Sequence, residues 1–281
     1  MDRNSYRRPE LLAEPDWVDS VRDDPEVCIV DCSTGHGPKW AYIPGAVELP
    51  LHFSLKDPDD AVHVIPAAPF AEAMGRIGVT ETTTVVAYDR HGGMAAARLW
   101  WVLNYYGHDA VRLLNGGWHR WLAEGRPIAL RPHPRAPGRF VPRPREAVLA
   151  RLDYVRERMA DPDVRIVDLR NASEWSGQNP WGNARAGHIP GAVHYEWVNS
   201  LNTDERRMFK SAPELWQGLE QAGVTPQSEV ITHCQAGIRA SHGAFVLRLL
   251  GFDRVRNYEA SMKEWANTPD APLVSAATDP A

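Results

Sequence analysis

A cysteine near the C-terminal end of the chain lies between an apolar run and a helical pattern. Residues 230–233 are typical of a buried strand, residues 244–250 are typical of a helix, and Cys234 directly follows the strand. The backbone N–H groups of residues 235–239, the positive end of the helix and Arg239 would all favour a thiolate at this position. Because aligned backbone donors also bind anions, the loop is predicted to combine a nucleophile with a site for a negatively charged substrate.

Short β-branched runs alternate with longer stretches of helical periodicity along the chain. In the first half these strand-like and helix-like segments are residues 27–31, 67–77, 85–88, 95–106 and 110–114. The alternation predicts an α/β fold in which each domain has a parallel sheet with helices on both faces. Ligands bind beyond the carboxyl ends of such strands, and Cys234 would lie at one of these ends.

The two halves of the sequence carry the same motifs in the same order, which indicates an internal repeat. The matched segments are 27–31 with 164–168, 43–47 with 189–193, 78–80 with 223–225, and 85–89 with 230–234. A proline-rich stretch between the halves is predicted to be an extended linker. We therefore predict a first domain over residues 1–130, a linker over residues 131–145 and a second domain over residues 146–281.

The repeated halves differ at the position that would carry the chemistry. Asp89 of the first half aligns with Cys234 of the second, and Gly92 aligns with Gly237. A carboxylate is a poor nucleophile and repels anions. The first domain is therefore predicted to be catalytically silent and to form one wall of the cleft.

Composition excludes several functional classes. The chain has 281 residues, of which 43% are hydrophobic and 24% charged, and its net charge is −5. These values are typical of a soluble globular protein and argue against a broad nucleic-acid surface. No apolar run of about 18 residues is present, and the first residues lack the apolar core of a secretory signal. We expect no nucleic-acid or membrane partner, so any anion site must be local.

The other two cysteines do not extend the site. Cys28 and Cys32 follow the pattern of a core strand and its loop, and no Cys-x-x-Cys pair occurs among the three cysteines. This spacing indicates neither a disulfide framework nor a metal site. Both residues are interpreted as buried structural thiols in a reducing, cytoplasmic environment.

Taken together, these motifs resemble the tandem-domain rhodaneses, a family of sulfurtransferases, over about residues 14–272. The resemblance rests on the order and duplication of the motifs and on Asp168-Leu169-Arg170, Glu174-Trp175, the segment 185–192 and the loop 234–239. It implies two rhodanese-like domains in tandem. It also implies that Cys234 takes a sulfane sulfur from a donor anion as a persulfide and passes it to cyanide or a thiol, without a metal or organic cofactor.

The resemblance also implies roles for the residues around the cysteine. The substrate-binding residues would be Gln235, Ala236, Gly237, Ile238, Arg239 and Arg185. Backbone donors and the Arg239 charge would stabilise the persulfide.

A second group of residues would support this loop from outside it. Asp168, Arg170 and Glu174 would form a buried polar network. His233 and His242 are interpreted as packing residues, because a thiolate that dipoles already stabilise needs no general base.

The sulfur donor is open between two branches of the family. The Arg239 cation suits the doubly charged thiosulfate, and the chain is predicted to be a thiosulfate sulfurtransferase. Loops of the mercaptopyruvate branch resemble Cys-Gly-Ser-Gly-Val-Thr, and their hydroxyl groups are missing here. However, thiosulfate loops often carry arginine where this chain has Gln235, so 3-mercaptopyruvate stays an alternative donor.

Two further functions belong to other classes. A duplicated rhodanese can act as a persulfide carrier or binding protein that delivers sulfur to a partner protein without turning over small molecules. Cys-based phosphatases with the same fold use a Cys-x5-Arg loop around phosphate. The interval from Cys234 to Arg239 is one residue shorter, which disfavours phosphatase activity.

Overall fold

The computed structural model describes residues 3–33 and 40–275, which form two compact units. The N-terminal unit contains Pro9–Arg145 and Leu201–Phe209. The C-terminal unit contains residues 146–200 and 210–275, with residues 3–8. Residues 131–145, the predicted linker, are part of the N-terminal unit, in which Phe140 is buried. The predicted domain boundaries are not tested by this division and stay predictions.

The described part of the N-terminal unit has a five-stranded parallel sheet. Its strands are β1 (Leu12–Ala13), β2 (Val27–Asp31), β3 (Val47–Glu48), β4 (Thr84–Tyr88) and β5 (Val111–Leu114), in the spatial order β1-β5-β4-β2-β3. Its helices are α1 (Pro15–Val21), α2 (Ala67–Arg76), α3 (Met94–Tyr105) and α4 (Gly117–Ala123). A 3₁₀-helix at Pro9–Leu11 precedes the first strand.

The C-terminal unit repeats this topology. Its strands are β6 (Leu149–Ala150), β7 (Val164–Asp168), β8 (Val193–His194), β9 (Glu229–His233) and β10 (Val255–Tyr258), in the spatial order β6-β10-β9-β7-β8. Its helices are α5 (Leu152–Arg158), α6 (Ala172–Trp175), α7 (Ala212–Gln221), α8 (Ile238–Leu249) and α9 (Ser261–Trp265), with 3₁₀-helices at Glu146–Val148 and Trp197–Ser200. The two equivalent parallel sheets confirm the predicted α/β repeat.

Strand β9 leads directly to Cys234 and is buried along its whole length. Its β-branched residues fit a pleated strand that is covered on both faces, as central parallel strands are. At its carboxyl end, His233 lies opposite Asp168 of β7. In the N-terminal unit, Tyr88 of β4 lies opposite Asp31 of β2 in the same way.

A short hairpin from the second half of the sequence belongs to the N-terminal unit. Leu201 forms an antiparallel bridge with Phe209, and the Asn202 N–H donates to the Met208 carbonyl at 2.8 Å. The Phe209 N–H donates to the Asn115 side-chain oxygen at 3.1 Å. Because Leu201 and Phe209 are both buried, this hairpin contributes to the core of the unit.

Cys28 and Cys32 are fully buried, as predicted from the sequence. Burial raises the pKa of the Cys28 thiol to about 11, although the charge of Arg135 opposes the shift. A thiol with so high a pKa is protonated at neutral pH and is chemically inert. Among residues 3–33 and 40–275, no helix has the length and apolar character needed to cross a membrane.

Candidate active site

Cys234 follows β9 directly, and its backbone is fixed by the start of α9. Its N–H donates to the Ser261 hydroxyl at 3.0 Å, and its carbonyl accepts the Met262 N–H at 3.1 Å. The next carbonyl, that of Gln235, accepts the Lys263 N–H at 2.8 Å. Since the Cys234 side chain is only 1% exposed, these bonds define the position of a buried sulfur.

Gly237 makes the tight turn between Cys234 and α8. Its φ of 78° lies in the left-handed region, and a Cβ added there would be 2.3 Å from the carbonyl oxygen of Glu259. Only glycine fits this approach. The Gly237 carbonyl accepts hydrogen bonds from the side chains of Ser241 at 2.7 Å and Asn257 at 3.2 Å, so the shape of the turn is set on both sides.

Helix α8 begins immediately after this glycine and presents its N-terminus to the loop. The Ser241 N–H donates to the Gly237 carbonyl at 3.0 Å. The N–H groups of residues 238–240 precede this bond and have no acceptor within the helix. Unpaired donors and the positive end of the helix dipole stabilise an anion at this end of α8.

Arg239 lies in the first turn of α8 and forms a two-pronged ion pair with Glu174. Its two terminal nitrogens donate to the carboxylate oxygens of Glu174 at 2.6 and 2.8 Å. Burial opposes the guanidinium charge, but these hydrogen bonds and the charges of Cys234 and Glu174 outweigh it and raise the pKa of Arg239. The guanidinium is therefore permanently charged and held in one orientation.

Glu174 is itself fixed by the helix that carries it. It is completely buried in α6, and it closes a capping box with Asn171. The Asn171 side chain accepts the Glu174 N–H at 3.0 Å, and the Glu174 carboxylate accepts the Asn171 N–H at 3.3 Å. This arrangement orients the carboxylate before Arg239 meets it.

Gln235 forms a reciprocal amide pair with Asn183. The Gln235 amide nitrogen donates to the Asn183 oxygen at 2.9 Å, and the Asn183 nitrogen donates to the Gln235 oxygen at 3.1 Å. Asn267 donates to the same Asn183 oxygen at 3.1 Å. The side chain of Gln235 thus binds the loop after α6, while the next residue, Ala236, is partly exposed.

Arg185 contacts a different part of the unit. Its guanidinium donates to the backbone carbonyls of the segment that includes and follows the end of α9: Trp265 at 3.0 Å, Ala266 at 3.3 Å, Ala271 at 2.6 Å and Thr268. None of these acceptors belongs to the Cys234 loop. The contacts of Arg185 therefore stabilise the segment after α9, and a direct role in substrate binding stays a prediction.

A buried polar network lies beneath the loop. Arg170 donates to both carboxylate oxygens of Asp168, at 2.6 Å for the closer one, and to the Gly187 carbonyl at 2.9 Å. Burial would raise the pKa of Asp168, but the charges of His233 and Arg170 and the hydrogen bonds from Arg170 lower it to about 2. Asp168 is therefore ionised at neutral pH.

The two histidines near the cysteine are both completely buried. Burial lowers the pKa of His233 to about 4 even though Asp168 opposes the shift, so its ring is neutral at pH 7. The ring of His242 meets the edge of Trp197 with centroids 5.1 Å apart. A neutral ring beside the strand does not supply a cation to the thiol.

The N-terminal unit has a different residue at the equivalent site. The Asp89 carboxylate follows β4 and accepts the backbone N–H groups of His91 at 2.7 Å, Gly93 at 2.9 Å and Ala96 at 2.9 Å. Helix α3 is capped by Gly93, with φ of 86°, as α8 is capped by Gly237. The sequence match of Gly92 with Gly237 is therefore wrong: the first loop is one residue longer, and Gly93 is the counterpart.

Two residues of this site were missed in the sequence. Asn183 is far from Gln235 along the chain, and no local pattern connects them. Ser261 has a signal in the internal repeat, because it corresponds to Gly117: both residues open the helix after the last strand and both have positive φ, 56° and 52°. A comparison of the halves beyond the cysteine loop would have singled it out.

The geometry agrees with a family assignment. The sequence pattern of the rhodanese-like domain matches residues 14–124 and again residues 151–268. The chain belongs to the rhodanese family. It contains two rhodanese-like domains in tandem, as predicted from the repeated motifs.

Named relatives of this rhodanese chain are similar over nearly their whole length. The sulfur carrier protein TtuD of Thermus thermophilus is 35% identical, covering 95% of this chain and 98% of that protein. The thiosulfate sulfurtransferase of Pseudomonas aeruginosa is 33% identical, with 94% and 96% covered. The putative thiosulfate sulfurtransferase SseA of Mycobacterium tuberculosis is 35% identical, with 97% and 93% covered. These rhodanese relatives support a sulfurtransferase.

One solved structure is similar to nearly the whole of this chain. The anaerobic ergothioneine biosynthesis enzyme from Chlorobium limicola, in complex with trimethyl histidine, superimposes with a TM-score of 0.86 at 25% identity. The match covers 98% of this chain and 72% of that enzyme.

Proposed function

We propose that this protein transfers a sulfane sulfur from thiosulfate to a thiophilic acceptor, either cyanide or a thiol, through a persulfide on Cys234. The observation that carries the proposal is the position of Cys234: it lies in the short loop between the buried strand β9 and the N-terminus of α8, with the Arg239 charge in the first turn of that helix. Backbone donors and a cation at the start of a helix provide a binding site for an anion next to this cysteine in the chain.

The reaction has two displacement steps. The Cys234 thiolate attacks the outer sulfur of thiosulfate, a new S–S bond forms, and the original S–S bond breaks as sulfite leaves with the electron pair. The acceptor then attacks the terminal sulfur of the persulfide. With cyanide this step releases thiocyanate and restores the thiolate, so no net oxidant or reductant is consumed.

Thiosulfate is the preferred donor in this proposal for two reasons. Relatives from three genera carry the name thiosulfate sulfurtransferase. The loop also has Ala236 and Arg239 where the mercaptopyruvate branch has serine and threonine hydroxyl groups, so it offers backbone donors and a cation to an anion. Because Glu174 compensates the Arg239 charge, we assign the larger part of the anion binding to the backbone N–H groups of residues 238–240 at the start of α8.

Intact-mass measurement after incubation with thiosulfate tests the site and the reaction together. The wild type is expected to gain one sulfur atom per chain and to lose it on addition of cyanide. The Cys234→Ser variant should gain none, whereas Cys32→Ala, which removes a different buried thiol, should load like the wild type. Loading of the Cys234→Ser variant would refute the assignment of the nucleophile.

Steady-state comparison of two donors tests the substrate. We expect a higher kcat/KM with thiosulfate than with 3-mercaptopyruvate, with cyanide as the acceptor in both cases. A large preference for 3-mercaptopyruvate would overturn the choice of donor and leave the persulfide reaction in place.

A carrier function is the second candidate, because the relative TtuD is named a sulfur carrier protein. A carrier would hold the Cys234 persulfide in the absence of donor and pass it to a protein in preference to a small thiol. Mass spectrometry of the loaded protein, followed over time with and without cyanide or glutathione, distinguishes the two functions. Rapid loss of sulfur to small acceptors supports turnover, and retention supports carriage.

A further inference from the structure

Ser261 has a backbone conformation that serine seldom adopts. Its φ of 56° lies in the left-handed region, where residues other than glycine are strained. The residue is also completely buried at the first position of α9. A strained conformation persists only where the surroundings enforce it, and such residues cluster at functional sites.

The hydroxyl of Ser261 binds the backbone of the nucleophile. Its Oγ accepts the Cys234 N–H at 3.0 Å and donates to the Tyr258 carbonyl at 2.7 Å. The hydroxyl therefore connects the end of β10 with the residue that follows β9. With the Met262 N–H on the Cys234 carbonyl at 3.1 Å, both peptide groups of Cys234 are held by the start of α9.

The silent half shows that the turn does not need this hydroxyl. Gly117 has the same place and conformation, with φ of 52°, and a Cβ there would be 2.7 Å from the Asp89 carbonyl oxygen. The Trp118 N–H still donates to that carbonyl at 3.0 Å. Glycine thus satisfies the fold. The serine of the C-terminal unit adds two hydrogen bonds of its hydroxyl, one to the Tyr258 carbonyl and one from the Cys234 N–H, and its conformation is strained.

We propose that Ser261 is a positioning residue for sulfur transfer, acting through the Cys234 backbone. By holding the N–H it fixes the peptide plane before Cys234 and so directs the Cα–Cβ bond, with its sulfur, toward the N-terminus of α8. The proposal rests on the proposed function, since it assumes that Cys234 is the nucleophile. A small displacement of a reacting atom slows chemistry more than it weakens binding.

Two variants distinguish an effect on the position of Cys234 from an effect on the stability of the protein. Ser261→Gly installs the residue of the silent half, which removes the hydroxyl and also relieves the strain, so its thermal midpoint should exceed that of Ser261→Ala. Ser261→Ala removes the hydroxyl and keeps the strain. In single-turnover loading with thiosulfate, both variants should load more slowly, by about tenfold, with the half-saturating thiosulfate concentration unchanged within about twofold.

Alkylation of Cys234 by iodoacetamide gives a readout that needs no sulfur donor. We expect Ser261→Gly to be alkylated several-fold more slowly than the wild type, because the hydroxyl no longer fixes the peptide plane before Cys234. If the wild type fails to load from any donor, the proposed function fails, and the alkylation rates still test the position of the sulfur.

Ser228→Ala serves as the matched control. Ser228 is also buried, and its hydroxyl pairs with that of Thr225 at 3.1 Å, before the start of β9. This variant should keep the loading and alkylation rates of the wild type. Wild-type rates in Ser261→Gly would overturn the proposal, as would a raised half-saturating concentration with an unchanged rate constant, which would instead indicate a role in donor binding.

Discussion

The loops at Asp89 and Cys234 both lie between a strand and the N-terminus of a helix, but their first side chains differ in whether they can accept the helix N–H groups. In the N-terminal unit, the anion at the start of the helix is the protein's own carboxylate, which accepts three backbone N–H groups. In the C-terminal unit Cys234 follows the equivalent strand, and its side chain has no carboxylate that could accept the N–H groups at the start of α8. The fold therefore supplies anion-binding donors in both halves, and one side chain decides whether the protein or a ligand uses them.

The arginines of the two loops, Arg90 and Arg239, also have different partners. Arg90, next to Asp89, donates to the Ala41 carbonyl at 2.5 Å, lies 3.4 Å from Asp31 and covers the ring of Trp118. In the C-terminal unit the equivalent contacts, with Asp168 and the Gly187 carbonyl, are made by Arg170, which lies outside the loop. The arginine of the C-terminal loop, Arg239, is therefore available for its ion pair with Glu174.

The largest effect should come from converting one loop into the other. Cys234→Asp places a carboxylate before α8, where it can accept the helix donors and cannot attack sulfur. We expect sulfur transfer to fall by about three orders of magnitude or more, measured as thiocyanate formation. The thermal midpoint should exceed that of Cys234→Ser, which lacks the charge; a lower midpoint would contradict the comparison of the two loops.

The ion pair of Arg239 with Glu174 should give the next largest effect. Glu174 is buried and Arg239 nearly so, and Glu174→Gln leaves the guanidinium without its counter-charge. We expect the free energy of unfolding to fall by about 4 kcal/mol, measured by urea denaturation. The double variant with Arg239→Met should be less destabilised than the sum of the single variants; additive losses would show that the two side chains are not coupled.

His233 occupies the strand end that is equivalent to that of Tyr88, and it should make the free energy of unfolding depend on pH. The folded state holds the pKa of His233 at about 4, whereas an unfolded histidine titrates near pH 6.5. As pH falls from about 6.5 to about 4, protons bind the unfolded state first, so this residue lowers the free energy of unfolding by up to about 3 kcal/mol. His233→Phe should remove this part of the pH dependence, and an unchanged slope would refute it.

The smallest effect should come from Asp89 itself. Asp89→Asn keeps the size of the side chain but replaces one acceptor with a donor that faces backbone N–H groups. We expect the free energy of unfolding to fall by about 1 kcal/mol, while loading of Cys234 with sulfur stays at the wild-type rate. Asp89→Ala controls for the loss of both acceptors, and a loss of loading in either variant would contradict a catalytically silent first half.

Much of the fold could be predicted from the sequence, because the motifs are local and repeated. Strand β2 has the predicted bounds, Val27–Asp31, and α3 differs by one residue at each end. The sequence pattern predicts a helix from residue 244, six residues after the observed start of α8 at Ile238. The first half of this helix contains serine, histidine and glycine, which favour helices weakly. Packing overrides this preference: Gly243 lies against Leu169, which leaves no space for a Cβ.

The site was only partly predictable, for a physical reason. The cysteine, the turn glycine and the arginine lie within six residues, so their spacing carries the information. The partners that orient them, Glu174, Asn183 and Ser261, come from distant elements and meet the loop only in the folded chain. The adjacent glycines 92 and 93 both have positive φ, and only the observed start of α3 identifies the counterpart of Gly237.

The hairpin of residues 201–209 determines how the chain can be divided. The N-terminal unit is completed by a segment that lies more than fifty residues beyond Arg145. A fragment that ends at Arg145 would lack Phe209, so the Asn115 oxygen would lose its donor and the core of the unit would lose two buried side chains. A single cut after Arg145 would therefore separate residues 3–8 from the C-terminal unit and residues 201–209 from the N-terminal unit.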